Sequence, residues 1–286
     1  MKGLVLSITA GQGHNQTAMV LSKRFNECGV ECKYLDVYKY INPILSDSVN
    51  KIYLMSTKAI PKIYGGVYRM CEKRGVQSGV GIHGLNRITN SVLSRSLIKL
   101  IQKEKPDFII CTHIFAALLV TYISSIEHLN AKTIGVITDF TIHPYWEDSL
   151  LDYYIIANER LTIQGIKKGF PENKFLPLGI PIGTKFSTKI EKSEAKEILN
   201  LHSKHTILVM SGSMGFGAVY KEIEDLDKLD MDFEIVSVSG NNKRLKAKID
   251  SMDTRKKIYS YGFINNVDVF MDACDCIITK PGGLTT

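Results

Sequence analysis

The most chemically pointed feature of this 286-residue chain is a histidine placed between a strand pattern and a helix pattern. Gly11-Gln12-Gly13-His14 follows a β-branched apolar run and opens a helical one. Two glycines let the backbone come close to a ligand, and the exposed N–H groups of a helix start favour negative charge. The same helix dipole disfavours an imidazolium, which keeps His14 neutral and able to take a proton near neutral pH. The alternative use of such a turn, dinucleotide binding, needs a third glycine near position 16, where Gln16 and Thr17 stand. Only Asp36, at the end of the next strand pattern, speaks for that use.

Two further glycine loops follow strand patterns later in the chain. Ser211-Gly212-Ser213-Met214-Gly215-Phe216-Gly217 can form a backbone nest for phosphate oxygens, but it lacks the Gly-Lys-Ser/Thr ending of a nucleotide-hydrolysing loop. Lys280-Pro281-Gly282-Gly283 is the other. His113 follows one strand pattern, and Asp139, with His143 and Trp146 behind it, follows another. Side chains in these positions collect at the carboxyl edge of an α/β sheet, where each serves either in a site or as a loop cap. Asp225, Asp227, Asp230 and Asp232 lie in a polar run with Glu222, Glu224 and Lys228, so they read as a solvated helix face and not as metal ligands. No Ser-His-Asp pattern and no zinc set is present, and no cofactor is called for.

The elements that must position these residues alternate in the α/β manner. Strands are expected at residues 4–9, 31–37, 108–111, 133–138 and 153–157, with a helix over 14–27 that places Ala18, Leu21 and Phe25 inward. Residues 40–105 break the rhythm and read as a helical insertion, with a mobile glycine-rich loop near 75–84. Two prolines at Pro177 and Pro181 mark a boundary. A second series then places strands at 206–210, 233–238, 257–261 and 276–279. The expected architecture is two Rossmann-like halves, 1–180 and 181–286, facing a cleft, with the second half lacking its final elements.

Composition narrows the function. Apolar residues at 44% and charged residues at 23% describe a globular chain, not a disordered or fibrous one. No apolar run approaches the roughly 20 residues of a membrane span, and the apolar start runs straight into the glycine turn, so it reads as a first strand and not a signal peptide. The six cysteines contain no C-x-x-C pair and read as reduced cytoplasmic thiols. The net charge of +7 is localised: residues 51–105 hold eleven Lys/Arg against Glu72 and Glu104, more positive charge than the whole chain carries. Such a patch fits phospholipid or nucleic acid, and no nucleic-acid module accompanies it.

Read together, these residues resemble the monogalactosyldiacylglycerol synthase and processive diacylglycerol glucosyltransferase family, within glycosyltransferase family 28. The resemblance runs over essentially the whole chain. Its carriers are Gly11–His14, Thr112-His113-x-Phe115-Ala116-Ala117, Thr138-Asp139-Phe140-x-x-His143-x-x-Trp146, Gly179-Ile180-Pro181-Ile182, Gly262-Phe263-x-x-Asn266 and Thr279-Lys280-Pro281-Gly282-Gly283-Leu284-Thr285-Thr286.

The resemblance implies an inverting, metal-independent transferase of GT-B fold that moves a hexose from UDP-glucose or UDP-galactose to diacylglycerol. His14 matches the family histidine implicated in acceptor deprotonation, with Gly13, His113, Asp139 and His143 as candidates on the acceptor side. Gly212, Ser213, Met214 and Gly215 match the diphosphate loop. Phe263 and Ile264 match the uracil contact, and Lys280, Pro281, Gly282 and Gly283 the sugar–phosphate contact. A lipid acceptor places the enzyme on the inner face of the cell membrane, docked through the basic, apolar segment 51–105. The family pattern continues past Thr286 with a ribose-holding glutamate, so the chain reads as truncated at its C-terminus. The competing readings are N-acetylglucosaminyl transfer to a lipid-linked peptidoglycan precursor, a sugar-nucleotide epimerase, and a non-catalytic membrane-surface protein left by truncation.

Overall fold

The computed structural model describes residues 1–9, 13–42, 81–202, 205–210, 212, 218–280 and 282–285, with the backbone alone over 81–92. The readings that fall on 43–80, Gly11, Gln12, Ser213, Met214, Gly215 and Pro281 lie outside these residues. The chain divides into two compact units, Met1–Ile182 and Gly183–Thr286.

The first unit is an open sheet of β1 (Lys2–Ser7), β2 (Glu31–Asp36), β3 (Phe108–Cys111), β4 (Lys132–Val136), β5 (Tyr153–Ile155) and β6 (Phe175–Leu176). All its pairings are parallel, in the order β2-β1-β3-β4-β5-β6. Parallel strands are covered on both faces, so they read as continuous apolar runs. Successive residues of β1 show this directly. Leu4 and Leu6 join one core with Ile109 and Cys111, while Val5 joins another with Phe108 and Ile110. Helix α1 (Gly13–Glu27) covers the second face through Ala18, Leu21 and Phe25. After the short α2 (Val37–Ile41), helices α3 (Gly81–Glu104) and α4 (Ile114–Ile126) cover the first face. In α3, Leu93, Leu97 and Ile101 are buried at a spacing of four, while Arg95, Lys99 and Lys103 are exposed at the same spacing on another face.

The second unit repeats the plan with β7 (Thr206–Met210), β8 (Glu234–Val238), β9 (Ile258–Tyr261) and β10 (Cys276–Thr279), all parallel, in the order β10-β7-β8-β9. Leu208, Met210, Val236 and Val238 face one way, with Phe270 and Ala273 packed on them. Val209 and Ile235 face the other way, against Val219, Ile223 and Leu226. Each unit is therefore Rossmann-like, with its own sheet and its own core.

Several expected boundaries move. The first strand spans Lys2–Ser7, not 4–9, because Thr9 turns its hydroxyl to the Asp36 carboxylate and accepts from Asn15 Nδ2 at 2.8 Å. The strand expected at 133–138 ends at Val136, since Thr138 turns toward His14. Residues 81–84, expected within a mobile loop, belong to helix α3. The two-residue β6, absent from the sequence reading, pairs with β5. No helix among the described residues is long and apolar enough to cross a membrane.

Candidate active site

Strand order alone marks one edge of each sheet. In the first unit, β1 sends its chain one way to β2 and has β3 on its other side, and the carboxyl ends of strands at such a switch point are where ligands bind in open α/β sheets. The expected acceptor-side residues follow those strands. Gly13 begins α1, and His14 stands in its first turn. The His14 Nδ1 atom lies 2.9 Å from the carbonyl oxygen of Thr112, just after β3, and 2.8 Å from Thr138 Oγ1, just after β4. Thr112 Oγ1 donates to the His14 carbonyl at 3.0 Å. One imidazole thus joins three strand ends.

The His113 ring meets His14 edge-on, with centroids 4.7 Å apart and an interplanar angle of 77°. His113 is buried and caps α4, its Nδ1 accepting from the Phe115 N–H at 3.2 Å. His143 caps the 3-10 turn Pro144–Asp148 in the same way, through Tyr145 N–H at 3.2 Å. Trp146, in that turn, is buried. Asp139 is exposed and close enough to act on both His14 and His143.

Burial is the dominant influence on all three histidines, and it favours the neutral ring. It lowers the pKa of His14, against an opposing pull from the Asp139 charge and the Thr112 carbonyl. Burial holds His113 well below the usual histidine range, and the positive charge that His14 and His143 can carry adds to the effect. His143 is lowered by burial too, with Asp139 opposing. A neutral imidazole beside a carboxylate can accept a proton and have the resulting cation stabilised.

Those expected donor residues that the structure describes fall at the carboxyl ends of strands in the second sheet. Gly212 follows β7 with φ +74°, a conformation that L side chains rarely adopt. Lys280 follows the neighbouring β10, and its Cε would stand 3.6 Å from a methyl group placed on Gly212. Gly282 and Gly283 continue into a turn closed by Thr285 N–H to Gly282 O at 2.8 Å. After β9, Phe263 is exposed while Ile264 packs on the core. Lys185 Nζ ties this loop down, donating to Asn265 O at 2.5 Å and pairing with Asp268 at 3.0 Å. Sequence reasoning had no signal for Lys185, whose partner Asn265 lies 80 residues on. It also missed the roles of Thr112 and Thr138, although both sit beside residues it singled out.

Asp36 accepts from the Lys39 N–H with one oxygen and from Thr9 with the other. Both oxygens serve the fold, which leaves the dinucleotide reading without its carboxylate. Asp225 pairs with Lys228, and Asp227 accepts the N–H groups of Arg255 and Lys256. Among the described residues no cluster of His, Cys, Asp or Glu is arranged to hold a metal.

Comparison with known proteins identifies the family and the fold. Residues 14–182 match the family model described as monogalactosyldiacylglycerol (MGDG) synthase. A processive diacylglycerol beta-glucosyltransferase of Bacillus pumilus (strain SAFR-032) is 28% identical over 292 residues, covering 99% of this chain and 73% of the relative. The protein of that name from Bacillus cereus (strain AH187) is 26% identical over 291 residues, covering 99% and 72%. Among solved structures, Acinetobacter baumannii MurG aligns with a TM-score of 0.59 at 14% identity, over 99% of this chain and 73% of that one. Anabaena Alr3699/HepE in complex with UDP aligns at 0.57 and 12% identity, over 97% and 73%. The chain belongs to the monogalactosyldiacylglycerol synthase family and is a glycosyltransferase of GT-B fold.

Proposed function

We propose that this chain transfers a hexose, glucose or galactose, from a UDP-sugar to the hydroxyl of diacylglycerol, with inversion at the anomeric carbon. The observation that carries the reading is the half-buried His14, held at a helix start by Thr112 and Thr138 and kept neutral by burial, with Asp139 near. The relatives' names supply the acceptor class. In the proposed step the acceptor O–H gives its proton to His14 as its oxygen bonds to the anomeric carbon. The bond from that carbon to the diphosphate oxygen breaks, and UDP leaves with the electron pair. A single displacement of this kind inverts the centre.

Donor binding is assigned to the second unit. Lys280 brings a cation beside Gly212, where backbone N–H groups can approach the diphosphate, so the leaving group's charge is met by the chain's own groups without a metal. Phe263, exposed in the loop after β9, offers a face for the uracil, with Ile264 packed on the core beside it. Ser213, Met214, Gly215 and Pro281 complete the same assignment from sequence. The first unit takes the acceptor, with Gly13, His113 and His143 shaping the surroundings of His14.

The acceptor is a membrane lipid, so we place the enzyme on the inner face of the membrane, attached through residues 51–105. The exposed row Arg95, Lys99 and Lys103 on α3 supports an anionic surface as partner. The test is turnover of UDP-glucose and UDP-galactose with diacylglycerol, with a lipid-linked peptidoglycan precursor as competing acceptor. Transfer to diacylglycerol is the expected result. Transfer to the precursor alone would overturn it.

A further inference from the structure

Two oxygens crowd a single nitrogen of His14. Thr112 O lies 2.9 Å and Thr138 Oγ1 2.8 Å from Nδ1. A carbonyl oxygen only accepts, so a bare Nδ1 would set its lone pair against that of Thr112. A proton on Nδ1 turns the same contact into a hydrogen bond, and the Thr138 oxygen then accepts from that proton as well. The neutral ring is left with its lone pair on Nε2. We propose that Thr112 and Thr138 lock His14 in the Nδ1–H tautomer, so that Nε2 is the proton-accepting atom and the Thr138 hydroxyl is a positioning group for it. This rests on His14 being the base of the transfer.

The surroundings make the lock effective. Thr112 is fully buried and Thr138 only 5% exposed, so water does not compete for either contact. Thr112 holds the residue twice, by its carbonyl to the ring and by its hydroxyl to the His14 carbonyl. His113 lies edge-on against the ring, which restricts its rotation. Among the described residues, the titratable groups that face His14 are His113, from the end of β3, and Asp139, from the end of β4. When Nε2 takes the acceptor proton, the ring becomes a cation whose other N–H already points at two oxygens. Hydrogen bonds from a charged donor are roughly twice as strong as neutral ones. The pair of threonines therefore does more for the protonated ring than for the neutral one.

The test reads the tautomer directly, by two-bond proton–nitrogen correlation NMR on the 15N-labelled chain, for wild type, Thr138→Ser and Thr138→Val. Wild type and Thr138→Ser should carry the proton on Nδ1. Thr138→Val keeps the shape but lacks the oxygen. It should show a mixture of tautomers, and its His14 titration should move to lower pH because the cation has lost an acceptor. Where turnover is measured, Thr138→Val should lower kcat by roughly 10-fold to 100-fold, the range of one hydrogen bond to a charged group, with KM for the UDP-sugar unchanged and Thr138→Ser close to wild type. A proton on Nε2 in wild type overturns the proposal even if Thr138→Val fails to fold. An unchanged tautomer and titration in a folded Thr138→Val overturns it too. Near-normal turnover of His14→Ala strikes the base reading alone, because the tautomer is read from the spectrum and not from activity.

Discussion

Gly212 and Lys280 stand side by side at the ends of neighbouring parallel strands, with the lysine Cε 3.6 Å from where a Gly212 side chain would begin. A cation beside a backbone at φ +74° is suited to an anion, which is the donor-site proposal for this pair. Lys280→Met should weaken UDP binding roughly tenfold or more, the scale of a lost charge-assisted contact, and salt should weaken wild-type binding more than that of the variant. Gly212→Ala places a side chain in the left-handed region at about 1–2 kcal/mol and should also weaken UDP. Isothermal titration with UDP checks both. Unaltered affinity in Lys280→Met removes the lysine from the donor site.

His14→Ala should lower kcat by roughly 10²–10⁴-fold, the usual range for general acid–base assistance, with UDP binding little changed. His14→Gln keeps hydrogen bonding without basicity and should not restore the rate. If turnover stays within about threefold of wild type, His14 leaves the mechanism.

Acid should destabilise the first unit. The pKa values of His14, His113 and His143 all lie below the ordinary histidine value in the folded chain. The unfolded chain, with ordinary histidines near about 6.5, therefore binds more protons below that pH. The difference in bound protons makes stability rise with pH, so it is lost as pH falls from about 6.5 toward the lowered folded values. Circular dichroism melts at about pH 7.5 and about pH 5.5 should show the loss. His113→Asn can still cap α4 with its side-chain oxygen but cannot titrate, and it should narrow the gap. An equal gap in wild type and variant would exclude His113 as a source of the acid sensitivity.

Strands made of one continuous apolar run were legible almost to the residue. β3, β7 and β10 carry unbroken apolar or β-branched runs, so no alternation had to be interpreted. β6 was invisible because two residues cannot show a period, and only its pairing with β5 makes it a strand. The candidate site was legible in part, as residue types and not as contacts. The types of His14, Lys280 and Gly212 pointed to their chemistry, but a histidine after a strand looks the same whether it caps a helix, as His113 and His143 do, or faces a substrate. Thr138 stood in a quoted motif, but its contact was missed for a different reason: its partner His14 lies 124 positions earlier, and nothing local to a threonine announces such a contact.

Vesicle binding should be electrostatic. The chain should sediment with anionic vesicles and much less with neutral ones, and added salt should release it as screening shortens to about 8 Å at physiological strength. Replacing Arg95, Lys99 and Lys103 together by glutamine removes the exposed row on α3 and should weaken attachment without unfolding the unit. Equal, salt-insensitive binding to both kinds of vesicle rejects the basic segment as the anchor.

Gly135 in β4 has no room for a side chain, since a methyl there would stand 2.9 Å from Trp146 and 3.0 Å from Tyr154. Gly135→Ala should cost about 1–3 kcal/mol through overpacking. Its thermal midpoint, compared with that of an alanine at exposed Gly169 (φ +89°), would separate crowding from backbone strain. A loss at Gly135 no larger than at Gly169 would mean the ring yields.

That ring is the chain's single tryptophan. Trp146 is buried, edge-on to Tyr154, three residues after His143 in the turn that follows β4. Its fluorescence is therefore a built-in dye confined to one unit. An emission shift during denaturation dates the opening of the first unit, while the melting of the second passes without a tryptophan signal. Two transitions that merge in circular dichroism can thus be told apart by colour alone, without attaching a label to the protein.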